Sequence, residues 1–273
     1  MLTMACKTTK KAPPKKKAKS TPKPTKEKSF RFLDLPPELR DMIYEMTLAD
    51  ANGVSIVGQQ SNYRHIARRG KVFPSEAYQS YRRRSRGYLR SGSQELSPIS
   101  TDFVPALLAV NKQINAEAIN YLYGHDFIFA DPTALHSFLA TIGPRNQQRL
   151  NDIAIMAWGH SGVGKGNNHS SLTLLAGSTQ LKALRLTCDV RYYSSKPQYV
   201  ARRVFLDAHW FLEAYGTANG RKDAAVDILH LKDENFQSYW GGQQVDKKVA
   251  GQRFKTELRS LLGVESTKRK SRA

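Results

Sequence analysis

"LNDIAI", residues 150–155, places apolar side chains at its first, fourth and sixth positions, and "LKALRL" (181–186) and "VDILHL" (226–231) do the same. This is the L-x-x-L-x-L spacing of strands in leucine-rich repeats. The offsets between the three, 31 and 45 residues, are unequal and longer than that repeat. Helical patterns lie between and after them: roughly 169–177, "YVARRVFLDAHWFLEAYG" (199–216) and "QQVDKKVAGQRFKTELRSLLG" (243–263). Strand and helix in alternation predict an α/β layer with a mostly parallel sheet. A leucine-rich-repeat-like arc and a compact open sheet both satisfy the pattern.

Upstream of "LNDIAI" the same alternation continues. "DFIFA" (126–130) reads as a short strand, and "DPTALHSFLATIG" (131–143) as a helix capped by Asp131, with Pro132 in its first turn and Gly143 as its stop. Before these, "DFVPALLAVNKQINAEAINYLYGHD" (102–126) predicts a helix over 104–123. Asp102 would cap it, Leu107, Val110, Ile114, Ala118 and Leu122 would share one face, and Gly124 would end it. "SFRFLDLPPELRDMIYEMTLAD" (29–50) predicts an extended Leu-Pro corner and then a short amphipathic helix, with Leu39, Met42, Ile43 and Met46 on its apolar face.

Residues 51–100 interleave Tyr and Arg among Ser and Gly with no sustained period, and read as a disordered basic insertion. The division expected is therefore a basic tail (1–29), a helical region (30–50 with 101–124), the insertion (51–100), an α/β domain (125–263) and a second basic tail (264–273).

The net charge of +20 is concentrated in those appendages. Residues 1–29 hold ten Lys against one Glu; residues 51–100 hold nine Arg or Lys against Glu76 and Glu95; residues 264–273 hold four against Glu265. The folded body is left close to neutral. Within the first tail, Lys10, Lys11, Lys15, Lys16, Lys17 and Lys19 form a compact, Pro-interrupted basic cluster of the nuclear-import type, and "KRKSR" (268–272) is a second, weaker one. A nuclear location is the expectation, the cytoplasm its alternative. No apolar run is long enough for a membrane span or a secretory signal. Cys6 and Cys188 supply neither a disulfide framework nor metal spacing.

Motifs for catalysis are thin. In "WGHSGVGKGN" (158–167), Gly159, Gly164 and Lys165 satisfy the first part of a phosphate-binding loop, but Gly166 stands where a Mg²⁺-ligating hydroxyl is needed. Asn167 and Asn168 further suggest loop rather than an immediate helix, so the stretch reads as a turn leaving a strand. The seven histidines form no metal-ligand spacing, and no nucleophile elbow is present. The reading is a chain with no catalytic residues, no cofactor and no metal.

"FLDLPPELRDMIYEM" resembles the start of the F-box, whose first helix follows L-P-x-E-L-x-x-x-I; Leu35, Pro36, Glu38, Leu39 and Ile43 occupy those positions. Joined to "LLAVNKQINAEAINYLYG", it looks like a large group of fungal F-box-like proteins, in which an LPPELRxxIY opening and a VNKQIxxEA helix flank a variable insertion. These motifs cover about 45 of the 273 residues. The resemblance implies a non-catalytic adaptor that docks on the Skp1 subunit of a cullin ubiquitin ligase and recruits a substrate protein whose identity is open. By carry-over, Leu35, Pro36, Leu39, Ile43 and Met46 would enter an apolar groove. Two departures stand against it. The insertion falls where an F-box continues into further helices, and the Leu-Pro helix has the alternative of spending its apolar face on the α/β body. A reading from another class takes the chain as nuclear and nucleic-acid-associated, with the basic tail and the Arg/Tyr insertion making weak, salt-dependent, non-specific contacts.

Overall fold

The three L-x-x-L-x-L segments lie next to one another in a single sheet. The computed structural model describes residues 30–50, 53–61, 64–70, 104–158, 165–187, 196–232, 236 and 247–264. Among them are strands β1 (Val54–Ser61), β2 (Arg64–Arg69), β3 (Asp126–Phe129), β4 (Asp152–Ile155), β5 (Ala183–Leu186) and β6 (Leu229–Leu231). The helices are α1 (Pro37–Leu48), α2 (Lys112–Tyr123), α3 (Pro132–Gln147), α4 (Lys165–Leu174), α5 (Pro197–Ala218), α6 (Ala224–Ile228) and α7 (Lys247–Leu261). The sheet order is β2-β1-β3-β4-β5-β6, antiparallel at β1/β2 and parallel everywhere else. The α/β architecture with a mostly parallel sheet therefore stands as expected.

From β1 onward the parallel strands follow chain order, so every crossover steps the same way. Right-handed crossovers that all step one way place their helices on one face, and α3, α4, α5 and α7 pack side by side as a row. The register shows which side chains meet them. Val54, Phe127, Ile153, Leu184 and Leu229 align across the sheet, and Ile56, Phe129, Ile155 and Leu186 form the next row on the same face. All nine are buried in the main core with Leu135 and Leu139 of α3 and Phe211, Leu212 and Tyr215 of α5. Burying each such side chain fully is worth about 1.5–3 kcal/mol. Phe138 closes a ring cluster with Phe127 and Phe129 at 5.0 and 5.3 Å. Tyr215 takes its hydroxyl into the core and donates it to the Leu181 carbonyl at 2.8 Å.

The helix starts follow their capping chemistry. Asp131 accepts from the Ala134 amide at 2.8 Å, with Pro132 at the first turn of α3. Gly143, at φ 71°, stops the regular run of that helix as expected, and Pro144 opens a last turn. Gly53 enters β1 at φ 75°, where a Cβ would lie 2.7 Å from the Asp126 carbonyl oxygen.

Four expectations change. Residues Val54–Ser61 and Arg64–Arg69, assigned to the insertion, are β1 and β2, so the sheet starts well before residue 125. They were missed because β1 alternates over only a few residues before Gly58, Gln59 and Gln60, and β2 is an edge strand whose charges mask its period. Residues 71–100 and both tails lie outside the described residues. The helix expected over 104–123 is instead a 3-10 turn, Pro105–Ala109, followed by α2. Asn111 breaks the two apart by accepting from the Gln113 amide at 2.9 Å, which leaves Val110 exposed; Asp102 lies outside the described residues. In "VDILHL" the first three residues are helical and only Leu229–Leu231 form a strand.

The fourth change concerns α4, which opens at Lys165 with no intervening loop. The two asparagines read as loop formers have tertiary partners instead. Asn167 donates to Thr133 Oγ1 at 2.9 Å, and Asn168, fully buried, donates to Asp207 Oδ2 at 3.3 Å. The order strand, glycine segment, helix is thus present here. Residues 159–164 of that segment are outside the described residues.

Candidate functional site

The two motifs that carried the family resemblance meet through one carboxylate. Glu117 of α2 accepts from the Tyr44 hydroxyl at 2.9 Å and from Gln113 Nε2 at 3.0 Å, and pairs with the Arg40 guanidinium at 3.3 Å. Arg40, Tyr44 and Leu48 recur every four residues and form the inward face of α1. With Ile114 and Ala118 of α2, Tyr44 and Leu48 make a small core of their own, bordered by Phe32, Leu33, Leu107, Leu108 and Tyr121. Phe32 and Tyr121 stack obliquely on Tyr44 at 5.8 and 5.9 Å. Burial, reinforced by the hydrogen bond to Glu117, pushes the Tyr44 hydroxyl up to about 12. The donors from Gln113 and Tyr44 hold the Glu117 carboxyl below its ordinary value. The Val104 amide donating to the Thr47 carbonyl at 2.8 Å ties the approach to α2 against the end of α1.

With that face turned inward, the face named from sequence turns outward. Leu39 is 46%, Met42 58% and Met46 67% exposed, at i, i+3 and i+7 on one side of α1. Pro36 is exposed as well, while Leu35 and Ile43 are half-buried at the margins of the stripe. Of the expected docking residues, Pro36, Leu39 and Met46 are thus exposed and Leu35 and Ile43 are only partly so. The structure adds Met42, which helical spacing had placed on that face but which was not among the residues carried over. Glu38, Asp41 and Glu45 stand exposed around the stripe and give it an acidic rim.

The sheet face away from the row of helices carries a charged network beside apolar residues such as Ile128 and Ala154. Arg185 on β5 reaches across β4, pairing with Asp152 at 2.8 Å and Asp126 at 3.1 Å. His230 on β6 is exposed beside it, and desolvation with the nearby Lys255 and Arg185 cations lowers its pKa. These groups are partly solvated and mutually paired, the usual state of a surface network. Arg64, His65 and Arg68 are exposed on the edge strand β2.

Among the described residues no group of three or more His, Cys, Asp or Glu side chains is placed to hold a metal ion. Nor is any described helix long and apolar enough to cross a membrane. Lys10, Lys11, Lys15, Lys16, Lys17 and Lys19, "KRKSR", Cys6, Cys188 and His160 all fall outside the described residues.

A family model described as "Domain of unknown function (DUF7730)" matches residues 24–161. The match runs from α1 through β4 and so takes in both motifs, the Glu117 clamp and four of the six described strands. No curated protein and no solved structure matches the chain.

Proposed function

The chain belongs to the DUF7730 family, and we propose that its α1–α2 unit is a docking module of a non-catalytic adaptor, with α1 offering Leu39, Met42 and Met46 to an apolar groove of a Skp1-like protein. The observation that carries this reading is the orientation of α1. Its inward face is spent on Glu117 and the small core, so its leucine and methionines remain available. Contiguous exposed apolar side chains rimmed by charge are the usual mark of an interaction surface, and an amphipathic helix entering a groove uses this i, i+3, i+7 spacing. Methionine suits the role because its flexible thioether adapts to a partner surface. In the F-box comparison α2 takes the place beside α1 that the following helices would occupy. The sheet body then holds whatever the adaptor recruits.

The test is co-purification and titration calorimetry of the full chain with a Skp1-like protein, using wild type and the Met42→Lys/Met46→Lys pair. Micromolar binding by wild type, lost in the double variant while its circular dichroism is unchanged, supports docking. Absence of wild-type binding at micromolar concentration defeats it.

A second reading, weak nucleic-acid association, has one described feature in its favour, the exposed Arg64, His65 and Arg68 on β2. A mobility shift that falls steeply with salt, and weakens when Arg64 and Arg68 become Glu, would support it. Equal binding by the variant would remove β2 from the interface.

A further inference from the structure

We infer that α5 is a self-association surface, pairing antiparallel with α5 of a second copy about a twofold axis near Leu206. The 22 residues of α5 bury Val200, Val204, Ala208, Phe211 and Tyr215 in the core. The opposite side is exposed and carries three large apolar or aromatic side chains: Tyr199 is 54%, Leu206 63% and Trp210 52% exposed. At about 100° per residue, Tyr199, Arg202, Leu206, Trp210, Glu213 and Thr217 all fall within about 40° of Leu206 and form one straight ridge. His209 flanks the ridge, stacking on His169 of α4 at 5.4 Å and lying 4.8 Å from the Trp210 ring. The apolar surface thus borders two further aromatic rings.

The order of charges along this ridge selects the occupant. Arg202 lies on its N-terminal half and Glu213 on its C-terminal half. A parallel copy would set Arg202 on Arg202 and Glu213 on Glu213. An antiparallel copy centred on Leu206 reverses one pattern against the other, because residue 206+n then faces residue 206−n. Trp210 meets Arg202, placing a guanidinium over an indole, and Glu213 meets the hydroxyl of Tyr199. Arg202 of one copy also falls within one turn of Glu213 of the other, while Leu206 packs on Leu206 at the axis. Arg202 is free to do this: its link to Glu257 is long, 3.7 Å, and its side chain is 63% exposed. An isologous interface requires one patch to be complementary to itself under twofold rotation, and the order of charges on this ridge meets that requirement. A single helix ridge lies at the small end of interface sizes, so the dimer should form at micromolar chain concentration. The ridge shares no residue with α1, and the inference is independent of the docking reading.

The test is sedimentation equilibrium of the full, nuclease-treated chain from low to high micromolar concentration. The expected result is a mass rising from one chain to two. Leu206→Asp, at an exposed position, should hold it at one with an unchanged far-ultraviolet spectrum. Arg202→Glu and Glu213→Arg should each weaken association by about tenfold, because two symmetry-related pairs are lost, and the double exchange should associate more tightly than either single change, which a general loss of stability would not do. A monomer at every concentration overturns the inference. So does a dimer indifferent to Leu206→Asp, a dimer lost instead in the Met42→Lys/Met46→Lys variant, or a double exchange that associates no better than either single change.

Discussion

The two faces of α1 should respond in opposite ways to substitution. Tyr44→Ala removes a fully buried ring that touches Phe32 and Tyr121 and donates to Glu117. Truncating a buried aromatic side chain to alanine costs about 3–5 kcal/mol. With a urea slope of about 2 kcal/mol per molar, the midpoint should fall by roughly 2 M if the chain unfolds as one unit. Because Tyr44 belongs to the small α1–α2 core rather than the main one, the loss should appear first as faster amide exchange in α1 and α2, with β3, β4 and β5 still protected. Met42→Lys/Met46→Lys changes side chains that are more than half exposed. Lysine and methionine have nearly equal helix propensity, and a lysine at position 42 stands one turn from Glu38. Its stability should stay within about 0.5 kcal/mol of wild type. Urea titration followed by circular dichroism, with exchange mass spectrometry beside it, measures both. If the lysine pair lowers the midpoint as far as Tyr44→Ala does, the outer face of α1 is packed against something, and the docking argument loses its surface.

Three further outcomes follow from the geometry. Gly53→Ala should cost about 2 kcal/mol or more, since the position has φ 75° and its new methyl would meet the Asp126 carbonyl; the thermal midpoint reads this directly. Asp131→Ala should cost about 1 kcal/mol by loss of the α3 cap. Burial raises the Asp131 pKa even though the Ala134 and Thr133 amides oppose it, so Asp131→Asn, which keeps an acceptor without the charge, should lie close to wild type in the same assay. His230 has its pKa lowered from 6.5 by desolvation and by the Lys255 and Arg185 cations. The folded chain therefore sheds a proton that the unfolded chain retains, and the stability held above pH 6.5 should decline as pH falls towards the folded value. Urea midpoints on either side of pH 6.5 test this, and His230→Gln should flatten the difference.

What the sequence revealed tracks where local chemistry and tertiary context agree. β4 and β5 are legible because Ile153, Ile155, Leu184 and Leu186 alternate towards one core face, and α3 because Asp131, Pro132 and Gly143 mark its ends. The start of α4 was hidden because Asn167 and Asn168 have low local helix preference, offset by Thr133 and Asp207 from other helices. β1 and β2 were hidden because a strand at or near an edge is defined by the neighbour it pairs with as much as by its own residues. For the candidate site, periodicity alone identified Leu39, Met42, Ile43 and Met46 as one face. It gave no sign of which way that face points, and nothing in the sequence marked Glu117, 73 residues from Tyr44, as the reason.

That orientation is what gives α1 its meaning. An ordinary amphipathic helix buries its leucines and methionines and exposes its arginines. α1 departs from this in part: Arg40 is 9% exposed and Met46 67%, while Tyr44 and Leu48 are buried in the usual way. The inward side is held by the clamp and the small core together: Glu117 pairs with Arg40 at 3.3 Å and accepts from the Tyr44 hydroxyl, while Tyr44 and Leu48 pack on Ile114 and Ala118. A buried arginine is a costly way to anchor a short helix when two methionines are available one turn away. Chains that follow local rules elsewhere break them mainly where a function requires it. Here Glu117 joins the two segments that carry the F-box-like resemblance, and Leu39, Met42 and Met46 lie on the opposite side of α1. The Glu117 contact and the exposed stripe occupy opposite sides of α1, and the docking proposed above requires both, the first to hold the helix and the second to meet a partner.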